Sequence, residues 1–313
     1  MDRPQRGSAT VQDAGQPPPA SGEPTNQANI AGIGTNPSPW TWDGRAPPPH
    51  CQPWRAPAGA ARTFLAILGR DLFVTGHELP SFAAQTILQP LFMAFVFGKV
   101  LIDLGLAEPE FAQVLLPGLV ALTVMLTALQ STALPLVVEF SFTKEIEDRL
   151  LAPLPLGMVA VERMLFASLR ALFAGALMFP IGRWIIGPLS LRADRVWMLV
   201  GFMVLGALAG SGMGMLLGTA VPPKRISTMF AVVLTPLLFT GCVQYPWPLL
   251  TELRWFQMVT LFNPITYASE GIRAAMLPLG PHMTTWKAAA ALIVATVLLA
   301  TAGIRGFLRC AVD

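Results

Sequence analysis

The chain has 313 residues, 53% hydrophobic and 12% charged, with a mean hydropathy of +0.56. Soluble domains average roughly 25% charged residues, so the composition excludes an ordinary soluble domain and indicates an integral membrane protein. A net charge of only +3 gives no basic footprint for nucleic acid, and Cys51, Cys242 and Cys310 are too scattered for a disulfide framework or a metal cluster.

Residues 1–58 carry the runs QPPPA and APPPH. They contain no apolar core after Met1 of the kind a secretory signal needs. Such a segment buries too little surface to offset its chain entropy and reads as a disordered, proline-rich cytoplasmic tail. In residues 59–79, Phe64, Ile67, Leu68 and Leu72 recur at helical spacing, with Arg62, Arg70 and Asp71 largely on the other side. That pattern predicts an amphipathic helix lying in the membrane interface.

Residues 80–313 read as an all-α integral membrane domain of six transmembrane helices. A crossing needs about 20 mainly apolar residues. The stretches that qualify are Ser81–Ile102, Phe111–Val138, Val159–Ile186, Trp197–Gly218, Ile226–Tyr245 and Thr285–Ile304. Placing both termini in the cytoplasm puts thirteen of the 21 Lys and Arg residues inside, in the sense the positive-inside rule requires. Arg192, Arg195 and Arg183 crowd one outer loop against this trend.

Between the second and third spans stands FTKEIEDRLLAPLP, the densest charge cluster of the chain: Lys144, Glu145, Glu147, Asp148 and Arg149. Thr143 is placed to cap a short helix over Lys144–Ala152 and Pro153 to stop it. Arg170 is a charge inside the third span. It reads either as a cavity-lining or paired group, or as a residue near the cytoplasmic end that snorkels, and the second reading is preferred. In the fourth span Gly206, Gly210, Gly214 and Gly218 recur every four residues and form one smooth ridge for close helix packing.

The loop before the last span, YPWPLLTELRWFQMVTLFNPITYASEGIRAAMLPLG, is too apolar for a plain connector and too short for two further spans. Two short re-entrant helices fit it, as does an ordinary interfacial helix. Non-helical backbone at membrane depth is tolerated only where protein or a wet cavity shields it. Asn263 is placed to cap, Pro264 to occupy a first turn, and Glu270 and Arg273 to pair on one face.

Several chemistries lack their residues. There is no G-x-x-x-x-G-K-[ST] phosphate loop, no G-x-S-x-G turn, and His50, His77 and His282 fall in no ligand spacing. The spans hold no carboxylate relay. A six-span secondary transporter or channel remains an alternative, although the halves show no repeat. A lipid-directed membrane enzyme would have only Glu252, Glu270 and His282 in the outer loop to work with.

From about Ala60 onward the chain resembles the permease subunit of bacterial type-2 ATP-binding-cassette exporters. FNPITYASEGIRAAM carries the resemblance best, through Asn263, Pro264, Tyr267, Glu270 and Arg273. PLLFTGCVQYPWPLL is similar to the family's fifth-span ending, and KEIEDRLLAPLPLGMVAVERML to its charged inner segment. The resemblance implies a subunit that is no enzyme and carries no cofactor itself, with ATP and Mg on a partner ATPase. It implies two ATPase copies, a second permease chain, identical or related, contact with membrane lipid, and residence in a bacterial plasma membrane. It further implies that Lys144, Glu145, Glu147, Asp148 and Arg149 form the ATPase-coupling helix. A hydrophobic or amphipathic drug, lipid or glycan-linked molecule would be moved outward.

Overall fold

The structure is a computed structural model and describes residues 68–69, 82, 84, 86–138, 156–187, 193–221 and 225–310. All of these lie within the unit Trp54–Asp313. The proline-rich tail, most of the expected interfacial helix and the charged segment with Lys144 to Arg149 lie outside the described residues.

Every regular element among the described residues is helical. In chain order they are α1 (Thr86–Asp103), α2 (Pro109–Val138), α3 (Leu156–Ile185), α4 (Val196–Ala220), α5 (Ile226–Thr240), α6 (Arg254–Thr260), α7 (Pro264–Met276) and α8 (Thr285–Cys310). Val96–Val100 of α1 is a π-helical turn, and Trp247–Glu252 forms a 3-10 turn before α6. Five of these helices, α1, α2, α3, α4 and α8, are long and apolar enough to cross a membrane.

The fifth expected span is shorter than the sequence suggests. α5 has 15 residues, about 22 Å of helix against a hydrocarbon core of about 30 Å. It ends at Thr240 rather than Tyr245, because the chain turns at Gly241 and Cys242 takes a left-handed φ of 50°. Apolar composition cannot distinguish such a turn from a further helical turn. The third span starts at Leu156, earlier than expected.

α2 is the central shaft, with 89% of its most apolar window buried. Leu115, Leu116, Leu119, Leu122, Met125 and Leu129 along it are essentially inaccessible. Pro117 and Pro135 lie inside it, and each removes a backbone donor, a defect that packed membrane bundles accommodate. The glycine ridge of α4 faces this shaft. A Cβ on Gly210 would stand 2.5 Å from the Met125 carbonyl oxygen, and one on Gly214 would strike that of Leu129. Gly206 and Gly218 continue the same line against Met125 and Leu136.

On the opposite side of α4, a Cβ on Gly212 would stand 2.8 Å from the Ala300 backbone nitrogen, and one on Gly303 would stand 2.8 Å from the Gly212 carbonyl. α4 therefore meets backbone on two sides, α2 on one and α8 on the other. Ser168 and Ser211, 3.3 Å apart, join α3 to α4, and the Thr296 hydroxyl donates to the Leu205 carbonyl at 3.3 Å to join α8 to α4. Without a hydrophobic drive between helices in lipid, such close backbone approach and interhelical hydrogen bonds hold the bundle together.

Candidate functional site: the segment before the last helix

The segment between α5 and α8 contains two short helices, α6 of seven residues and α7 of 13. α7 spans about 20 Å at 1.5 Å per residue and is too short to cross. It is nonetheless a core element: of its 13 residues, all but Tyr267 are buried. Its first turn is set by local chemistry. Asn263 Oδ1 accepts from the Ile265 backbone N–H at 2.9 Å, and Pro264 fills the position whose N–H needs no partner. Asn263 Nδ2 donates back to α5, to the Leu237 carbonyl at 2.8 Å and to Thr240 Oγ1 at 3.0 Å.

Three hydroxyls complete the junction. Thr266 Oγ1 donates to the Thr260 carbonyl at 2.7 Å, Ser269 Oγ to the Gly241 carbonyl at 3.0 Å, and the Tyr267 hydroxyl to the Leu261 carbonyl at 2.6 Å. The ends of α5 and α6 leave carbonyls outside the helical ladder, and in an apolar setting each would cost several kcal/mol if left unpaired, on the order of 2–7.

Glu270 and Arg273 form an ion pair in which both side chains are fully buried. Each also reaches distant backbone. Glu270 Oε1 accepts from the Trp247 N–H at 2.9 Å and Oε2 from the Met283 N–H at 2.6 Å. Arg273 Nη2 donates to the Cys242 and Val243 carbonyls at 3.0 and 3.4 Å, and Nε to the Val114 carbonyl of α2 at 3.4 Å. The pair thus gathers the end of α5, the 3-10 turn, the approach to α8 and the shaft α2 onto one point. Gly118 of α2 permits this, since a Cβ there would run into the Val243 backbone.

Arg195, at the start of α4, donates from Nη1 to the Ala274 carbonyl near the end of α7 at 3.2 Å, where a cation also complements the helix dipole. The two residues are 79 apart, and nothing local in the sequence points to the contact. It gives one arginine of the arginine-rich loop before α4 a structural task, and Arg273 has another.

The five residues singled out around Asn263 to Arg273 therefore come together in one junction. The four ridge glycines lie apart from it on α4, and only Gly206 approaches, toward Ala268 of α7. Lys144, Glu145, Glu147, Asp148 and Arg149 lie outside the described residues. The partners of the clamp, Trp247, Met283, Cys242, Val243 and Val114, were missed. No signal local to Glu270 or Arg273 identifies them. Beside the junction, Met213, Leu261, Phe262, Pro264, Val294 and Leu298 line an apolar hollow of about 540 Å³ between α4, α7 and α8.

The model of the family described as ABC-2 type transporter matches residues 62–277. The chain belongs to this family. It is a permease of the ABC-2 type, with several apolar helices long enough for a multi-pass membrane protein. The inner membrane transport permease YadH of Escherichia coli (strain K12) is 30% identical over 194 residues, which cover 61% of this chain and 73% of YadH. The YadH of Shigella flexneri matches equally. The putative transport permease ycf38 of Cyanophora paradoxa is 26% identical over 227 residues, covering 67% of this chain and 72% of ycf38. The matched range ends at residue 277, just past α7, so the family resemblance includes the whole clamp helix.

Proposed function

We propose that this ABC-2 permease works as the membrane subunit of an ATP-driven exporter in a bacterial inner membrane. Family membership over residues 62–277 is the observation that carries the reading. Power would come from ATPase domains on separate chains, two copies docking beneath two permease chains, identical or related. The chain's sequence has no phosphate-binding loop of its own, in keeping with that division of labour. The substrate class is a hydrophobic or amphipathic molecule. The apolar hollow beside α7 supports this, since Leu261, Phe262, Val294 and Leu298 offer it little but hydrocarbon.

Both termini are assigned to the cytoplasm, with α5 completing a six-crossing arrangement through the turn that follows it. The charge bias supports this, the more so because Arg195 and Arg273 on the outer side are tied into the fold by hydrogen bonds. The inner segment then faces the ATPase, and Lys144, Glu145, Glu147, Asp148 and Arg149 would receive its motion.

The test is capture of the full chain from native membranes. An ATP-binding-cassette ATPase is expected to co-purify, and the Glu147→Lys/Asp148→Lys variant should capture several-fold less of it or uncouple ATP hydrolysis from export. Unchanged assembly and unchanged export in that variant would sink the coupling assignment. A chain that moves substrate along an ion gradient with no ATPase present would sink the exporter reading itself.

A further inference from the structure

Arg170 is the cation set deepest in a described apolar helix. It lies seven residues beyond Arg163 on α3, about 10 Å further along the axis. A charge at such depth costs about 2.5–3.5 kcal/mol on insertion scales unless something meets it. The Arg170 guanidinium stacks over the Phe82 ring, 4.1 Å from the centroid, with the Phe166 ring at 5.7 Å, both within cation–π range. Arg170 therefore lines a cavity, and its two rings lie toward the near ends of α3 and the first crossing.

The cavity is formed where residues of the first crossing, α2 and α3 meet. It measures about 160 Å³, and Phe82, Thr127, Gln130, Ser131, Leu134 and Arg170 are among its walls. A single buried water needs only about 10–15 Å³, so there is room for a small polyatomic group. Thr127 is 3% exposed, and its Oγ1 has no hydrogen-bond partner among the described residues. Other buried threonines of the bundle behave differently. Thr123, Thr132 and Thr296 each donate to the carbonyl four residues back, at 2.7–2.9 Å. Thr127 thus leaves a hydroxyl unspent on the wall of a cavity that also holds a cation, an amide and a second hydroxyl. The rim is apolar: Leu134 is 46% exposed on the outer face of α2.

We propose that this cavity binds an anionic group, a phosphate or a carboxylate, presented by an amphipathic molecule whose apolar part rests on the rim. Arg170 contributes its permanent positive charge to the wall, and a guanidinium suits oxyanions. Thr127, Ser131 and Gln130 supply neutral donors, and basic pockets between membrane helices are suited to acidic head groups. Arg170 has other contacts besides the two rings, so the site is read from the wall it shares with Thr127, Gln130 and Ser131 rather than from an unpaired charge. Binding here does not depend on ATP-driven export. Head-group binding that persists in a chain capturing no ATPase, or the reverse, separates the two readings.

The experiment is equilibrium binding of tail-labelled phosphatidylglycerol and matched phosphatidylcholine to the full chain in mild detergent, read by fluorescence anisotropy. The native chain should prefer phosphatidylglycerol by about tenfold, the worth of one charge-assisted hydrogen bond. Arg170→Gln should erase the preference, Arg170→Lys should keep part of it, and Thr127→Val should lower it about threefold or more. Inorganic phosphate at millimolar concentration distinguishes the sources. Displacement of the probe supports the site with a free anion as ligand, and failure to displace it supports a lipid head group. A preference unchanged in a folded Arg170→Gln chain overturns the proposal. Should that variant not fold, an unchanged preference in Thr127→Val overturns it. A native chain that favours neither phosphatidylglycerol nor phosphate overturns it as well.

Discussion

Glu270 and Arg273 stand one helical turn apart on α7 and neutralise each other with neither side chain reaching solvent. A buried pair of this kind is weak evidence for net stability, but removing one partner strands the other. Glu270→Ala should therefore destabilise the purified chain by about 3–5 kcal/mol, seen as a lower midpoint in tryptophan-monitored unfolding. The double variant Glu270→Met/Arg273→Leu should recover a large part of that loss. Equal destabilisation by the single and double variants would show that the backbone hydrogen bonds, and not the stranded charge, set the cost.

The ridge on α4 gives a second prediction. A methyl at Gly210 would stand 2.5 Å from the Met125 carbonyl, whereas a methyl at Gly201 meets nothing within 4 Å. Overpacking of this sort costs about 1–3 kcal/mol. Gly210→Ala should lower thermal stability, and Gly201→Ala should leave it unchanged or raise it slightly through helix propensity. Matched unfolding curves of the two variants would exclude the close α2–α4 contact.

The two functions of Asn263 can be separated. Asn263→Ser keeps an oxygen that can cap α7 and loses the Nδ2 donors to Leu237 and Thr240. Asn263→Ala loses both functions. Loss of a cap costs about 0.5–2 kcal/mol, so the alanine variant should be the less stable by about that margin. Unfolding midpoints of the two variants, measured side by side, check the order.

Orientation can be checked with the chain's own cysteines. Cys310 at the end of α8 is exposed and Cys242 is buried. In a Cys51→Ser background, a membrane-impermeant maleimide should label Cys310 in inverted vesicles and not in intact cells. Leu279→Cys, at a fully exposed position before α8, should show the opposite sidedness. Labelling of both from the same side would refute the assigned topology.

Much of this bundle is legible in the sequence because its signals are local or periodic. Hydropathy alone locates α2, α3, α4 and α8. The cap at Asn263 and the Glu270–Arg273 spacing act within one helical turn, so adjacent residues suffice to read them. What the sequence hides is what those groups touch. The donors to Glu270 come from Trp247 and Met283, 23 and 13 residues away, and Val114 is 159 residues from Arg273. The glycine spacing announces a ridge but not its neighbour, and it gives no hint of the Gly212–Gly303 crossing on the other side. The expected fifth span runs past the end of α5 because Gly241, Cys242 and Val243 are as apolar as a helix while their backbone turns.

The clamp also imposes an order on how the chain is made. Its acceptors and donors are synthesised in sequence: Val114 first, then Cys242, Val243 and Trp247, then the pair itself. Met283 comes last, and until it emerges one oxygen of Glu270 has no donor. Truncation just after α7 would keep every helix through Met276 and still leave a buried carboxylate short of a bond. A nascent chain therefore holds the segment between α5 and α8 short of one hydrogen bond until the residues just before α8 arrive, so the last helix completes a site that lies before it in the sequence.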